Sequence, residues 1–429
     1  MDFFNPRELG CRIALNFDRL QGDPYYQIEQ VFSPANYEWY GDKEGRALLA
    51  FVCHYKIHGR AIPCMHEMLA KMPQMTNEKQ FFGPLAGEVI HEQQLSGHSW
   101  LLRGLCEYYE QFGDEAVLQA IQSICRELYL PIRGKIGTYP VDRPWQDAGG
   151  VSGKSMQILN GWKLSSDVGC AFMSIDGLSH AYELLLDADI LALLDEMIDF
   201  YLSIDKLALR VQTHCTLTAA RGMMRLYALT ADRRYLEGAK SIYTLYTEAG
   251  GMTATYQNAN WWGRDDTWTE PCAIVDSLML ACELYKVEGL DAYRTTAARI
   301  WHNGLATAQR ANGGAGTDTV VTRRTGGTAI LRSKKYEAYF CCTMRLAEGL
   351  WYAYNHIPLL AAHRTGAVTR QADGTYADGD ILYAEITGGD AYLTQPAVCI
   401  DGIRLHPLLK YYTVQKEDME QITQRVLFD

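Results

Sequence analysis

The chain has 429 residues, of which 48% are hydrophobic and 21% charged. That is an ordinary globular balance, long enough for one large core or two modest ones, and it excludes a disordered chain. The formal charge of -11 leaves no basic surplus for phosphates, so nucleic acid is excluded as the expected partner, and no stretch is apolar enough to span a membrane.

The opening residues, Met1-Asp2-Phe3-Phe4-Asn5-Pro6, lack the cationic flank and apolar run of a secretory signal, so the expected location is cytoplasmic and the twelve cysteines are expected to be reduced. From there to about residue 360 the chain reads as amphipathic helices. Ala47, Leu48, Phe51, Val52 and Tyr55 form one stripe, and Trp100, Leu101, Leu105, Tyr108 and Tyr109 another. Asp-containing turns at Asp114, Asp187, Asp232 and Asp291 each separate two such helices, where the Asp can cap the second and the short turn forces the pair antiparallel. Degenerate helical hairpins of this kind point to a closed (α/α)6 toroid of about twelve helices in two layers. Cys11, Cys53, Cys106, Cys125, Cys170 and Cys282 fall in helical apolar surroundings and are expected to pack as small hydrophobes.

Residues 132–170 and 308–338, rich in Gly, Thr, Asp and Arg, are predicted as long loops. After about 362 the pattern changes: Ile381, Tyr383 and Glu385 alternate with Leu382 and Ala384, as strands do. The expected organisation is a barrel over 1–361 and a β-rich extension over 362–429.

Two helix starts carry unusual chemistry. In Thr267-Trp268-Thr269-Glu270-Pro271-Cys272, Pro271 suits the first helical position, which puts Glu270 at the cap and Cys272 in the first turn. Tyr339-Phe340-Cys341-Cys342-Thr343 opens another helix. Free N–H groups and the helix dipole favour carboxylate and thiolate there. One carboxylate and three thiolates suit tetrahedral zinc better than magnesium or calcium. The spacing matches no Cys-x-x-Cys pattern, and on pattern alone unliganded, packed thiols stay open as the other reading.

Trp268-Thr269-Glu270-Pro271-Cys272-Ala273, then Ala298 to Leu305, then Cys341-Cys342 resemble in order and approximate spacing the β-L-arabinofuranosidases of glycoside hydrolase family 127. The likeness extends to Gly41-Asp42-Lys43-Glu44-Gly45-Arg46, Gly177-Leu178-Ser179-His180, Thr213-His214-Cys215 and Gly250-Gly251-Met252, over most of residues 37 to 360. It implies an (α/α)6 barrel and a Zn2+ ion held by Glu270, Cys272, Cys341 and Cys342. It also implies a retaining mechanism with Cys341 as nucleophile, and sugar contacts from His180 and His214. The family's acid/base glutamate is missing, because residues 249–264 contain no Asp or Glu. Tyr256, Gln257 and Asn258 stand in its place, and Asp265 is the expected substitute, with Asp266 and Glu248 as alternatives. Gln257 and Trp261 are expected on the sugar, with Trp262 beside them. The expected partner is a small carbohydrate; the composition is compatible with a homo-oligomer. A noncatalytic carbohydrate-binding protein with a structural zinc is the other functional reading.

Overall fold

The computed structural model describes residues 6–34, 36–143, 153–253, 256–264, 266–322, 328–360, 367–370, 376–379, 381–385, 398–400 and 403–406. Its twelve long helices are α1 (Pro6–Leu20), α2 (Asp42–His58), α3 (Pro63–Met75), α4 (Glu92–Phe112), α5 (Glu115–Ile124), α6 (Ser174–Leu185), α7 (Ala188–Ser203), α8 (Thr213–Thr230), α9 (Arg233–Glu248), α10 (Pro271–Glu288), α11 (Asp291–Arg299) and α12 (Cys342–Asn355). The even-numbered helices form an inner ring: each packs on the next, and α12 closes onto α2. The odd-numbered ones form the outer layer, so the architecture is an (α/α)6 toroid.

Burial explains the sorting. An inner helix touches neighbours on both sides and the outer layer behind, and α8 accordingly buries every residue from Thr213 to Met224. An outer helix buries one stripe, as α9 does with Tyr235, Leu236, Ala239, Ile242, Tyr243 and Tyr246. Small residues let the inner helices approach closely. A Cβ at Gly45 on α2 would lie 2.1 Å from the α4 backbone at Trp100 and Leu101. The toroid axis is filled by ion pairs: Arg103 to Asp176 (3.3 Å) and Glu348 (2.9 Å), and Arg221 to Glu348 (3.2 Å) and Asp276 (2.9 Å). Such buried charges are costly to desolvate and persist because each is paired.

Asp114, Asp187 and Asp232 cap α5, α7 and α9 through the amides of Ala116, Asp189 and Arg234. Asp291 does not cap: Gly289 turns left-handed, Leu290 takes the cap position, and Asp291 is the first helical residue, bonded to Arg294. The two segments expected as loops contain strands. Ser155–Leu159 and Trp162–Ser165 pair as a hairpin, and Thr317–Thr322 joins Asp266–Trp268 and Thr328–Lys335 in a three-stranded antiparallel sheet. In Thr317–Thr322 the β-branched residues outweigh the neighbouring glycines. Cys11 is exposed, not packed; Cys53, Cys106, Cys125, Cys170 and Cys282 are buried. Within 362–429 the described strands, Ile381–Glu385 among them, form an antiparallel sheet.

Candidate active site

The inner helices all point their N-termini to one end of the toroid, where a cavity of about 790 Å³ opens. That volume is within the usual range for small-molecule sites. Five inner helices contribute lining residues at or next to their first turns: Asp42 and Arg46 on α2, Met173 before α6, Gln212 and His214 at α8, Glu270 at α10, and Cys341 and Cys342 at α12. Converging N-termini supply free N–H groups and positive dipole ends, so anionic side chains gather here for a physical reason.

Three sulfur atoms meet at one wall. Cys272 Sγ is 3.5 Å from Cys341 Sγ and 3.9 Å from Cys342 Sγ, and the Cys341–Cys342 separation is 3.9 Å. Thiolates bound tetrahedrally at a Zn–S distance of about 2.3 Å lie roughly 3.8 Å apart, so the triangle has the size that zinc requires. Phe340 adopts a left-handed φ of 52° just before Cys341, which caps α12 with non-helical torsions. That turn brings two adjacent cysteines to the same point. Thr343 locks it by donating to Glu337 (3.1 Å) and accepting from the Ala315 amide (3.0 Å). Cys272 and Cys342 are buried, whereas Cys341 is partly exposed to the cavity. Hydrogen bonds from the Cys272 and Cys342 thiols, with Arg46 and His214 nearby, hold Cys341 well below the usual thiol range.

Glu270 caps α10 beside this triangle. The ligand atoms of the three cysteines all lie within 4.8 Å of one another, and Glu270 is not in that group. Its carboxylate is held by His214 Nδ1 (3.2 Å), Gln212 Nε2 (3.3 Å) and the Asn260 amide (2.7 Å). His214 in turn has Nε2 at 3.3 Å from Asp276 and stacks on Trp100. Burial opposes its charge, but Glu270 and Asp276 on its two sides overcome this and raise it to about 9. Asp276 is buried, yet Arg345 and Arg221 keep it ionised, well below the usual carboxylate range. Arg46 donates Nη1 to Cys272 Sγ at 3.4 Å and Nε to Asp42 at 2.7 Å, with its guanidinium 4.1 Å from the Trp100 ring centre.

His214 is therefore at the cavity, and the other expected sugar contacts are not. His180 lies in the seventh position of α6, away from the helix N-termini, where it donates Nε2 to Glu110 at 2.9 Å and accepts Arg103 at Nδ1. Burial and the arginines around it keep it neutral. Trp261 is buried edge-on against Trp268 at 4.6 Å, and it is Trp268 that reaches the cavity. Gln257 is fully buried, its backbone paired with Thr253, and Trp262 is buried too. Asp265 and the side chain of Asp266 lie outside the described residues, and Glu248 is exposed at the end of α9. The residues missed by sequence reasoning are Tyr37, Trp39, Asp42, Asp167 and Trp268. Asp42 and Arg46, four apart at a helix start, carried the one readable signal.

The sequence matches the profile of the β-L-arabinofuranosidase catalytic domain of glycoside hydrolase family 127, over residues 64–319 and 202–354. Among solved structures, the chain resembles a β-arabinofuranosidase of that family at 12% identity and a TM-score of 0.52, covering 91% of this chain and 66% of that one. It also resembles a family 127 β-L-arabinofuranosidase from Geobacillus stearothermophilus T6 at 12% identity and a TM-score of 0.51, covering 90% of this chain and 70% of that one. A cellobiose 2-epimerase from Bacillus thermoamylovorans is equally similar in shape, with 12% identity, a TM-score of 0.52, and 81% and 100% of the two chains covered. At these identities the likeness is one of fold. No curated protein sequence matches the chain.

Proposed function

Since the chain belongs to the β-L-arabinofuranosidase catalytic domains of glycoside hydrolase family 127, we propose that it is a zinc-dependent retaining glycosidase acting on β-L-arabinofuranosides or a closely related sugar. The observation that carries this reading is the thiol triangle at the cavity wall, with one corner, Cys341, partly exposed to the cavity. Cys272, Cys341 and Cys342 are the zinc ligands, and Glu270, at the adjacent helix cap, is the fourth. Bound zinc would supply a Lewis-acidic charge that keeps the thiolates deprotonated.

The chain's own residues do the rest. Cys341 Sγ attacks the anomeric carbon and forms a thioglycosyl bond as the leaving oxygen departs; water then breaks that bond with a second inversion. His214, fixed between Glu270 and Asp276 through its two ring nitrogens, orients Glu270 at the cavity. Trp268 and Trp39 offer apolar faces on which a sugar ring can stack.

The test is metal analysis of purified protein joined to turnover of an aryl β-L-arabinofuranoside. About one zinc per chain and loss of turnover in Cys341→Ser are expected. A zinc-free active preparation, or an active Cys341→Ser protein, contradicts the reading. Zinc with sugar binding and no turnover points to a noncatalytic carbohydrate-binding protein.

A further inference from the structure

A retaining mechanism needs a group to protonate the leaving oxygen, and the cavity itself offers candidates. Four described carboxylates line it: Asp42, Asp167, Glu270 and Glu337. Three are committed elsewhere. Glu337 accepts Arg19 (2.9 to 3.1 Å), Tyr25 (2.6 Å), Asn312 (2.8 Å) and Thr343 (3.1 Å), so both its oxygens are taken up by side chains behind the cavity wall. Glu270 is held by His214, Gln212 and Asn260 beside the thiols. Asp167 takes the Gly153 amide at 3.0 Å and fastens the start of the 155–165 hairpin to the barrel.

Asp42 differs. It is buried in the first turn of α2, with Oδ1 fixed by Arg46 Nε at 2.7 Å and Oδ2 meeting the Tyr37 hydroxyl at the long distance of 3.5 Å. Tyr37 lines the cavity as well. The same Arg46 guanidinium touches Cys272 Sγ at 3.4 Å, and that sulfur is 3.5 Å from Cys341 Sγ. One rigid, planar group therefore sets the distance between the Asp42 carboxyl and the thiol triangle.

Resting on the reading of Cys341 as nucleophile, we propose that Asp42 is the acid and base of this chain, in the place of the glutamate that residues 249–264 lack. In the first step the Cys341 sulfur bonds to the anomeric carbon, the carbon–oxygen bond to the leaving group breaks, and the Asp42 proton goes to that oxygen. In the second, a water oxygen bonds to the anomeric carbon, the carbon–sulfur bond breaks, and the water proton returns to Asp42. Atoms and charge balance as hydrolysis, with Cys341 thiolate and Asp42 carboxylic acid restored. The surroundings fit both roles. Burial raises the Asp42 carboxyl, Arg46 opposes this, and the negative charge on Cys341 raises it further.

The experiment compares wild type, Asp42→Asn and Asp42→Ala on two β-L-arabinofuranosides, one with an alkyl and one with a 2,4-dinitrophenyl leaving group, with and without sodium azide, after checking zinc content. Both variants are expected to lose about 10²- to 10⁴-fold on the alkyl glycoside. On the dinitrophenyl glycoside they are expected to give a rapid burst and slow turnover, which azide accelerates with formation of β-L-arabinofuranosyl azide. Equal loss on both substrates without azide product, or no loss, overturns the assignment of Asp42. If the Arg46 contact proves necessary for folding, Asp42→Glu keeps the carboxyl and moves it by one methylene. A selective loss on the alkyl substrate then supports the assignment, and an equal loss overturns it. A wild type that turns over neither substrate overturns the glycosidase reading itself, a result separate from the failure of Asp42.

Discussion

Cys272 and Cys341 are 69 residues apart in the chain, yet their sulfur atoms are 3.5 Å apart. The ring brings them together: each sits at the N-terminal end of an inner helix, and α10 and α12 are neighbours. Cys272→Ser is expected to weaken zinc binding by more than the 10- to 100-fold typical of residues that only support a ligand. Competition with a chromophoric chelator measures this. Unchanged affinity would place the metal elsewhere.

Arg46 is fully enclosed between Asp42, Cys272 and the Trp100 ring. Arg46→Met leaves the buried Asp42 carboxyl and Cys272 sulfur without their shared donor, so it is expected to destabilise the zinc-loaded protein by about 1–3 kcal/mol. Denaturant unfolding reads it, and a loss below about 1 kcal/mol would show that the pair is not sealed from water.

His98, remote from the thiols, is a buried neutral imidazole: Nδ1 donates to the Gln94 carbonyl and Nε2 accepts from the Phe82 amide. Burial lowers it from 6.5 to about 4. The unfolded chain takes up this proton below 6.5 and the folded one only near 4. Stability from this site is therefore complete above 6.5 and falls as the pH drops toward 4, by about 3 kcal/mol in all. His98→Gln, which keeps an acceptor for Phe82, is expected to flatten that part of the profile relative to wild type. Parallel profiles would contradict the neutral form.

The helix caps supply a paired comparison. Asp187→Ala removes the acceptor for the Asp189 and Ile190 amides and is expected to cost about 1 kcal/mol. Asp291→Ala, inside its helix, removes no cap and is expected to cost clearly less. Equal losses would mean that the capping geometry does not hold in solution.

These residues also mark how far the sequence could be read. Helical periodicity and recurrent Asp turns were enough for the toroid, because both are local signals with a 3.6-residue period. The helix starts that bring Cys272, Cys341 and Cys342 together, with Glu270 at the adjacent cap, were legible because capping chemistry is local as well. What failed depended on depth and partners. His180 and His214 look alike in sequence, but one lies a second turn into its helix among arginines and the other in the first turn at the cavity. Trp261 was expected on the sugar, but Trp268, in a strand paired with residues 319–321, is the ring that lines the cavity. Asp42 was quoted within a motif, but nothing local to it shows that Arg46 reaches across to Cys272.

The central claim is that Cys341 is a zinc-supported nucleophile, and one measurement bears on it most directly. The zinc-loaded protein is incubated with an arabinofuranose analogue carrying an epoxide at the anomeric position, digested, and mapped by mass spectrometry. The account predicts one adduct per chain, on Cys341, formed in step with loss of turnover. An adduct on a carboxylate, or inactivation that leaves Cys341 unmodified, would contradict it.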